Sequence, residues 1–317
     1  MDFGQALAQE PFILFEGAVI ERLRRETAVT LDPYVLHAGL VCHPAGQAAL
    51  AQIYDSYLDV GQRYNLPMAI LTPTWRANPE RVSAAGLVDV AAVNQEGYRF
   101  LDALRNRRSA AAPPVWVGGL TACRGDAYQA REALPEDEAR RFHAPQVQAL
   151  AEAGVDFLIA STLPALSEAL GIAAAMAETG VPYVLSFVIR PTGAILDNSL
   201  LHECLSCIDD ALSTPPLAYM VNCVHPSVLR EALHHQLDAA PWLLNRLVGL
   251  QANTSPKPPE ELDDAGELKS QPPAPFAEAM IDLYDTFGLR ILGGCCGTDD
   301  RHLAEIAARA TARMRTS

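Results

Sequence analysis

Short, almost continuous apolar runs recur along the chain, and longer segments with helical spacing separate them. The runs are 12–19 (FILFEGAV), 68–75 (MAILTPTW), 115–120 (VWVGGL), 156–162 (DFLIAST), 183–189 (YVLSFVI), 218–224 (AYMVNCV), 246–253 (RLVGLQAN) and 289–297 (LRILGGCCG). Continuous apolarity marks strands covered on both faces, as in a parallel sheet. A further run, 34–42 (YVLHAGLVC), reads either as an extra strand or as a loop. Between the runs, 135–154 opens with Pro and acidic residues and stops at Gly154, and 167–180 stops at Gly180, which is helix punctuation. Eight strands alternating with helices predict an α/β fold of one domain spanning 1–317, a (β/α)8 TIM barrel. A doubly wound sheet is the alternative, but no G-x-G-x-x-G follows the first strand. The polar, proline-rich stretch 253–275 falls between the seventh and eighth strands. It therefore reads as a long loop at the barrel end where active sites lie, either a surface excursion or a lid.

Composition narrows the function classes. The chain has 317 residues, half of them hydrophobic, with 24 Lys+Arg against 38 Asp+Glu and a net charge of −14. That much apolar content excludes a disordered chain. An acidic chain without a basic block argues against nucleic acid and anionic membranes as partners. No apolar run reaches the roughly 18–20 residues of a membrane span. The amino terminus MDFGQALAQEPF has neither a basic nor a long apolar signal region, so a cytoplasmic location with reduced thiols is expected. Seven cysteines, an odd number, do not suit a closed disulfide framework.

The cysteines carry the candidate chemistry. Gly293-Gly294-Cys295-Cys296-Gly297 closes the eighth predicted strand. Adjacent side chains in a regular strand point to opposite faces, so two such thiols share a metal only where the strand ends and the backbone bends. Flanking glycines allow that bend. Core cysteines or a vicinal disulfide are the other readings of the pair taken alone. Cys223, in Val221-Asn222-Cys223, ends the sixth predicted strand, and in a barrel the ends of strands six and eight face one mouth. Three thiols there would leave one open position on zinc, the catalytic pattern. Cys204 and Cys207 form a C-x-x-C of helical periodicity without a second pair, and read as structural filler. Cys42 and Cys123 are isolated. His234, His235 and His302 lie on predicted helices and read as solvated, whereas His225 stands two residues from Cys223.

Together these residues resemble the homocysteine S-methyltransferase family. Val-Asn-Cys at 221–223 and Gly-Gly-Cys-Cys-Gly-Thr at 293–298 are similar to the family's zinc motifs, in order. Thr72-Pro-Thr-Trp-Arg-Ala-Asn78, the stretch 128–138, Phe142-His143 and 149–156 also follow the family pattern, so the likeness spans nearly the whole chain. The resemblance implies zinc on Cys223, Cys295 and Cys296, a small-molecule thiol acceptor and a small methyl donor. It also implies substrate contacts at Glu16, Gly17, Thr72, Thr74, Ser161, Thr162 and Asn222, with Asn222 orienting the metal loop. The chain carries no cobalamin or folate module, so the donor would be S-methylmethionine, S-adenosylmethionine, a betaine or another sulfonium, with Trp75 a candidate cation–π partner. Two segments depart from the family. The first strand ends Glu16-Gly17-Ala18 instead of Asp-Gly-Gly, and Ser161 stands where the fourth strand usually carries a carboxylate. These changes leave open another small thiol as acceptor, with Glu16 compensating for the lost charge, or a non-catalytic barrel that retains zinc. A homo-oligomer is compatible with all of these readings.

Overall fold

A computed structural model describes residues 1–87, 89–258, 261 and 270–315. Eight parallel strands close in chain order: β1 Ile13–Phe15, β2 Met68–Leu71, β3 Val115–Ala122, β4 Phe157–Leu163, β5 Tyr183–Phe187, β6 Ala218–Asn222, β7 Leu247–Ala252 and β8 Ile291–Gly294. β1 closes the ring, with Leu14 in register with Met68 of β2 and Leu292 of β8. This is the expected (β/α)8 barrel, and the ring leaves no open edge of the kind a doubly wound sheet would have.

Alternation of side chains sorts each strand into two cores. Ile13, Phe15, Leu71, Phe157, Ile159, Val184, Met220 and Ile291 fill the inside of the barrel. Leu14, Ile70, Val117, Leu158, Leu185, Val221, Leu250 and Leu292 pack outward in the larger cluster shared with the helices. Room inside is tight: a Cβ at Gly118 would lie 2.5 Å from the Phe157 ring and 2.7 Å from Leu71, so only glycine fits beside that ring. The helix Phe3–Gln9 stoppers the amino-terminal end of the barrel. Phe3 stacks on Phe157 with centroids 3.9 Å apart and meets Trp116 edge-on at 5.8 Å. The opposite end is left free for chemistry.

Several boundaries differ from the sequence reading. β1 stops at Phe15, so Glu16 to Val19 form a connection and not strand. The run 34–42 is neither strand nor plain loop: Leu36 takes a left-handed φ of 54°, and Ala38–Cys42 is a 3-10 helix. In the stretch 253–275, Asn253, Thr254 and Ser255 are buried and a helix begins at Pro273, where proline suits a first turn. Residues 259–260 and 262–269 of the stretch, on which the lid reading partly rests, lie outside the described residues. His302 is not solvated; it is 1% exposed, with Nδ1 on Asp299 and Nε2 on the Gln271 carbonyl. Among the described residues no helix is long and apolar enough to cross a membrane.

Candidate metal centre and substrate cavity

All seven cysteines are free, and three of them meet at the carboxy-terminal mouth of the barrel. The sulfurs of Cys223, Cys295 and Cys296 lie within 4.8 Å of one another, with Cys223 and Cys295 2.7 Å apart. β8 ends at Gly294, and the following turn carries both adjacent thiols. A Cβ at Gly294 would collide with Thr298 Oγ1 at 2.1 Å, and Gly297 takes a φ of 85°. The turn is tied on every side. Thr298 Oγ1 donates to the Cys295 carbonyl at 2.7 Å and accepts from Ala18 N at 3.1 Å. The Glu21 carboxylate accepts the Gly297 N–H. Asn253 Oδ1 accepts from Cys296 N at 3.1 Å while its Nδ2 donates to the Cys223 carbonyl at 2.8 Å.

Cys223 itself has a φ of 57°, a conformation an L residue with a side chain adopts at a cost. Thr162, with a φ of 64°, does the same on β4. Asn222 links the two. Its Oδ1 accepts from Thr162 N at 2.9 Å and from the Ser186 hydroxyl at 2.7 Å, and its Nδ2 donates to Thr162 Oγ1 at 2.8 Å. Asn222 therefore pins β4 and β5 beside the thiols, and Asn253 is what anchors the backbone of both cysteine segments. The three thiols titrate together. Hydrogen bonds from Cys295 and Cys296, and from the Tyr128 and Asn222 side chains, hold Cys223 well below the usual thiol range against the opposing effect of burial. The same contact with Cys223 pushes Cys296 up to about 12 and Cys295 upward as well.

The thiols line a cavity of about 690 Å³. Glu16, Gly17, Thr72, Ser161, Thr162 and Asn222 line it too, so the structure brings these residues together with the thiols. Thr74 does not reach it: its hydroxyl pairs with Thr72 at 2.6 Å and donates to the Leu120 carbonyl at 2.7 Å. Gly17 is held against Tyr57, whose hydroxyl would sit 2.7 Å from an added Cβ. Glu16 is 5% exposed and accepts from Leu71 N at 2.7 Å; burial raises its carboxyl well above the ordinary range. Ser161 Oγ is buried without a partner among the described residues. Trp75 lines the cavity, but the protein's own Arg76 guanidinium stacks over its ring at 4.2 Å, so one face is already taken. His225 caps the helix Pro226–Gln236 and bonds Gln271 at 3.0 Å instead of lining the cavity. Cys123 and Cys204 are buried, and Cys42 and Cys207 are exposed, all away from the three-thiol cluster.

Tyr128 reaches the thiols from the connection after β3. That connection is fixed by a fully buried carboxylate: Glu168 accepts from Arg124 N at 2.7 Å and bonds His143 Nε2 at 2.8 Å.

The sequence model of the homocysteine S-methyltransferase family matches residues 13–310. The chain belongs to the homocysteine S-methyltransferase family. Among its relatives, the homocysteine S-methyltransferase YbgG of Bacillus subtilis (strain 168) is 27% identical over 322 residues, covering 94% of each chain. The homocysteine S-methyltransferase of Escherichia coli (strain K12) is 23% identical over 320 residues and 96% of each chain. The metallated form of the homocysteine methyltransferase MmuM from Escherichia coli superposes with a TM-score of 0.77 at 20% identity, over 96% of this chain and 98% of that one. This is a likeness of fold, and it agrees with the closed barrel. As a family member the chain is an enzyme of the methyltransferase class.

Asn253, Glu21 and Tyr128 escaped the sequence reading as site residues. Asn253 carried a usable signal, since it directly follows β7 just as Cys223 directly follows β6, and barrel sites are built from such positions. Tyr128 opened a stretch that follows the family pattern but had no role assigned to it, and Glu21, in the first turn of the helix Ile20–Glu26, carried no signal, because no local pattern shows that it meets the turn after β8.

Proposed function

We propose that this chain transfers a methyl group from a small sulfonium or ammonium donor to a thiol, homocysteine giving methionine, with zinc held by Cys223, Cys295 and Cys296. The convergence of those three sulfurs at the mouth of a substrate-sized cavity, in a chain of this family, carries the reading. The donor set fits the ion: three soft sulfurs, all free, make an S3 site with one position left, and thiolates select zinc. Zinc supplies, when bound, a Lewis acid that keeps thiols ionised near neutral pH.

The chain's own residues do the rest. Asn253 and Thr298 hold the backbone on which the cysteines sit. Glu16 offers the cavity a buried carboxyl that the α-ammonium of an amino acid would ionise and pair with. Ser161 Oγ, unpartnered among the described residues, is a hydrogen-bonding group for the same end of the acceptor. The transfer forms one sulfur–carbon bond as the methyl–donor bond breaks, and the electron pair leaves with the donor's heteroatom. The thiol proton departs to solvent. Barrel and loops supply proximity and in-line orientation.

Ser161 in place of a carboxylate motivates a second reading, a different small thiol as acceptor. The test is a panel: zinc-loaded protein, homocysteine beside other small thiols, against S-methylmethionine, S-adenosylmethionine and glycine betaine. Methionine formation supports the proposal. Turnover with another thiol alone supports the second reading. Bound zinc without turnover across the panel would leave a zinc-retaining binding barrel. Seven free thiols, three of which must stay reduced to bind metal, suit a cytoplasmic enzyme.

A further inference from the structure

The cavity wall opposite the deeper thiol carries two guanidiniums, Arg76 and Arg81, with Asp126 also in the lining. In the ring of eight strands, β2 and β6 lie diametrically apart. Cys223 follows β6, and Arg76 follows β2. Arg76 is 8% exposed and lines the cavity. Its Nη1 donates to the carbonyls of Cys123, at 3.3 Å, and Gly125. Its Nε and Nη2 donate to nothing among the described residues. Arg81 also lines the cavity, held at the Tyr34 carbonyl by Nη1 at 3.2 Å and at the Arg124 carbonyl by Nη2 at 3.4 Å. Among the described residues neither guanidinium has a carboxylate within 4.0 Å; the adjacent Glu80 pairs with Arg124 instead. Burial and the like charge of Arg76 push the Arg81 guanidinium below its usual range. Two cations this close, one of them buried without a counter-ion among the described residues, are costly unless an anion joins them. A second observation points the same way: His37, 3% exposed, lines the cavity with an Nδ1 that has no partner among the described residues. It follows the segment that Arg81 grips at Tyr34.

We infer that Arg76 and Arg81 form an anion subsite that holds the carboxylate of one substrate across the cavity from the thiols. The inference rests on the methyl-transfer reading for the identity of the substrates, not for the existence of the subsite. Guanidinium forks suit carboxylates, and Arg76 is preset for this by its stack on Trp75. The carboxylate could belong to the donor or to the acceptor.

Two probe pairs separate these sources, each with and without the carboxylate: dimethylsulfoniopropionate against ethyldimethylsulfonium, and homocysteine against 3-aminopropane-1-thiol. Binding to the zinc-loaded protein is measured by calorimetry, independently of turnover. Wild type is expected to prefer the carboxylate member of one pair by roughly 10- to 100-fold, and Arg76→Gln to erase that preference. Arg81→Gln, at a partly buried position, is expected to weaken it, and Arg76→Lys to retain part of it; both guard against misfolding of the first variant. Equal binding within both pairs, or an unchanged preference in both glutamine variants, would overturn the subsite. Preference and its loss without any methyl transfer would uphold the subsite while refuting the proposed function. Methyl transfer without preference would do the reverse.

Discussion

Asn253 Nδ2 donates to the Cys223 carbonyl at 2.8 Å, although the two residues stand on different strand ends. The same side chain accepts from Cys296 N, so one amide sets the spacing of the two cysteine segments. Groups that orient metal ligands typically contribute 10- to 100-fold in affinity. Asn253→Ala is therefore expected to weaken zinc binding by about that factor, with Asn253→Asp, which keeps the acceptor but loses the donor, in between. Chelator competition measures it; wild-type affinity in the alanine variant would remove Asn253 from the site.

Each of Cys223→Ala, Cys295→Ala and Cys296→Ala should abolish stoichiometric zinc, since three thiolates are the whole donor set among the described residues. Cys207→Ser, on an exposed helix position, should leave it intact. Elemental analysis of the purified variants decides. Full zinc retention in Cys296→Ala would mean that the ion sits elsewhere.

Glu16 couples stability to pH. Its carboxyl is raised by burial above the ordinary value of 4.5, so the native state holds the proton longer than the unfolded chain. Stability should fall as pH rises from 4.5 toward that raised value, then level off. Glu16→Gln removes the penalty and should raise the free energy of unfolding at pH 7, with the gain vanishing below about pH 4.5, while weakening binding of ammonium-bearing acceptors. Urea melts across this pH range, beside homocysteine titrations, test both halves. A variant less stable than wild type at pH 7 would contradict the first.

Phe3 belongs to the stopper at the other end of the barrel. Its ring is fully buried against Phe157 and Trp116, so Phe3→Ala should cost roughly 3–5 kcal/mol. KM and zinc content should not move, because the plug and the thiols sit at opposite ends. Denaturant unfolding with parallel kinetics would show the separation.

Asn222→Ala should leave Thr162 N–H and the Ser186 hydroxyl without their acceptor, at a cost of about 1–3 kcal/mol per unmet group. It should also release the left-handed backbone at Thr162, lowering turnover more than zinc content. Equal losses in both would place Asn222 with the metal loop instead.

Local information was enough for the barrel. Apolar runs such as 183–189 and 218–224 reveal strands because burial on both faces demands apolarity at every position, a property each segment carries by itself. Cys295-Cys296 taken alone reads equally as core cysteines; it became legible only with Cys223 at a second strand end facing the same mouth and with the family resemblance of the two motifs together. Strand ends were less legible: Glu16 follows an apolar run without a break, and only pairing with β2 and β8 shows that the strand is over by Phe15. His302 looked solvated because helical periodicity does not say what covers a face; Asp299 and Gln271 do.

The sequence by itself determined the order of strands and helices, the three thiols at strand ends and the family to which they belong. Only the tertiary structure decided that Asn253 anchors the cysteine backbone while Asn222 reaches the Cys223 thiol, that Thr74 is spent on Thr72 and Leu120, that Tyr128 reaches Cys223, and that Arg76 and Arg81 face the cavity without a counter-ion among the described residues. Periodicity is a property of neighbouring residues, whereas a hydrogen bond spanning 30 positions exists only once ring closure brings its two ends together.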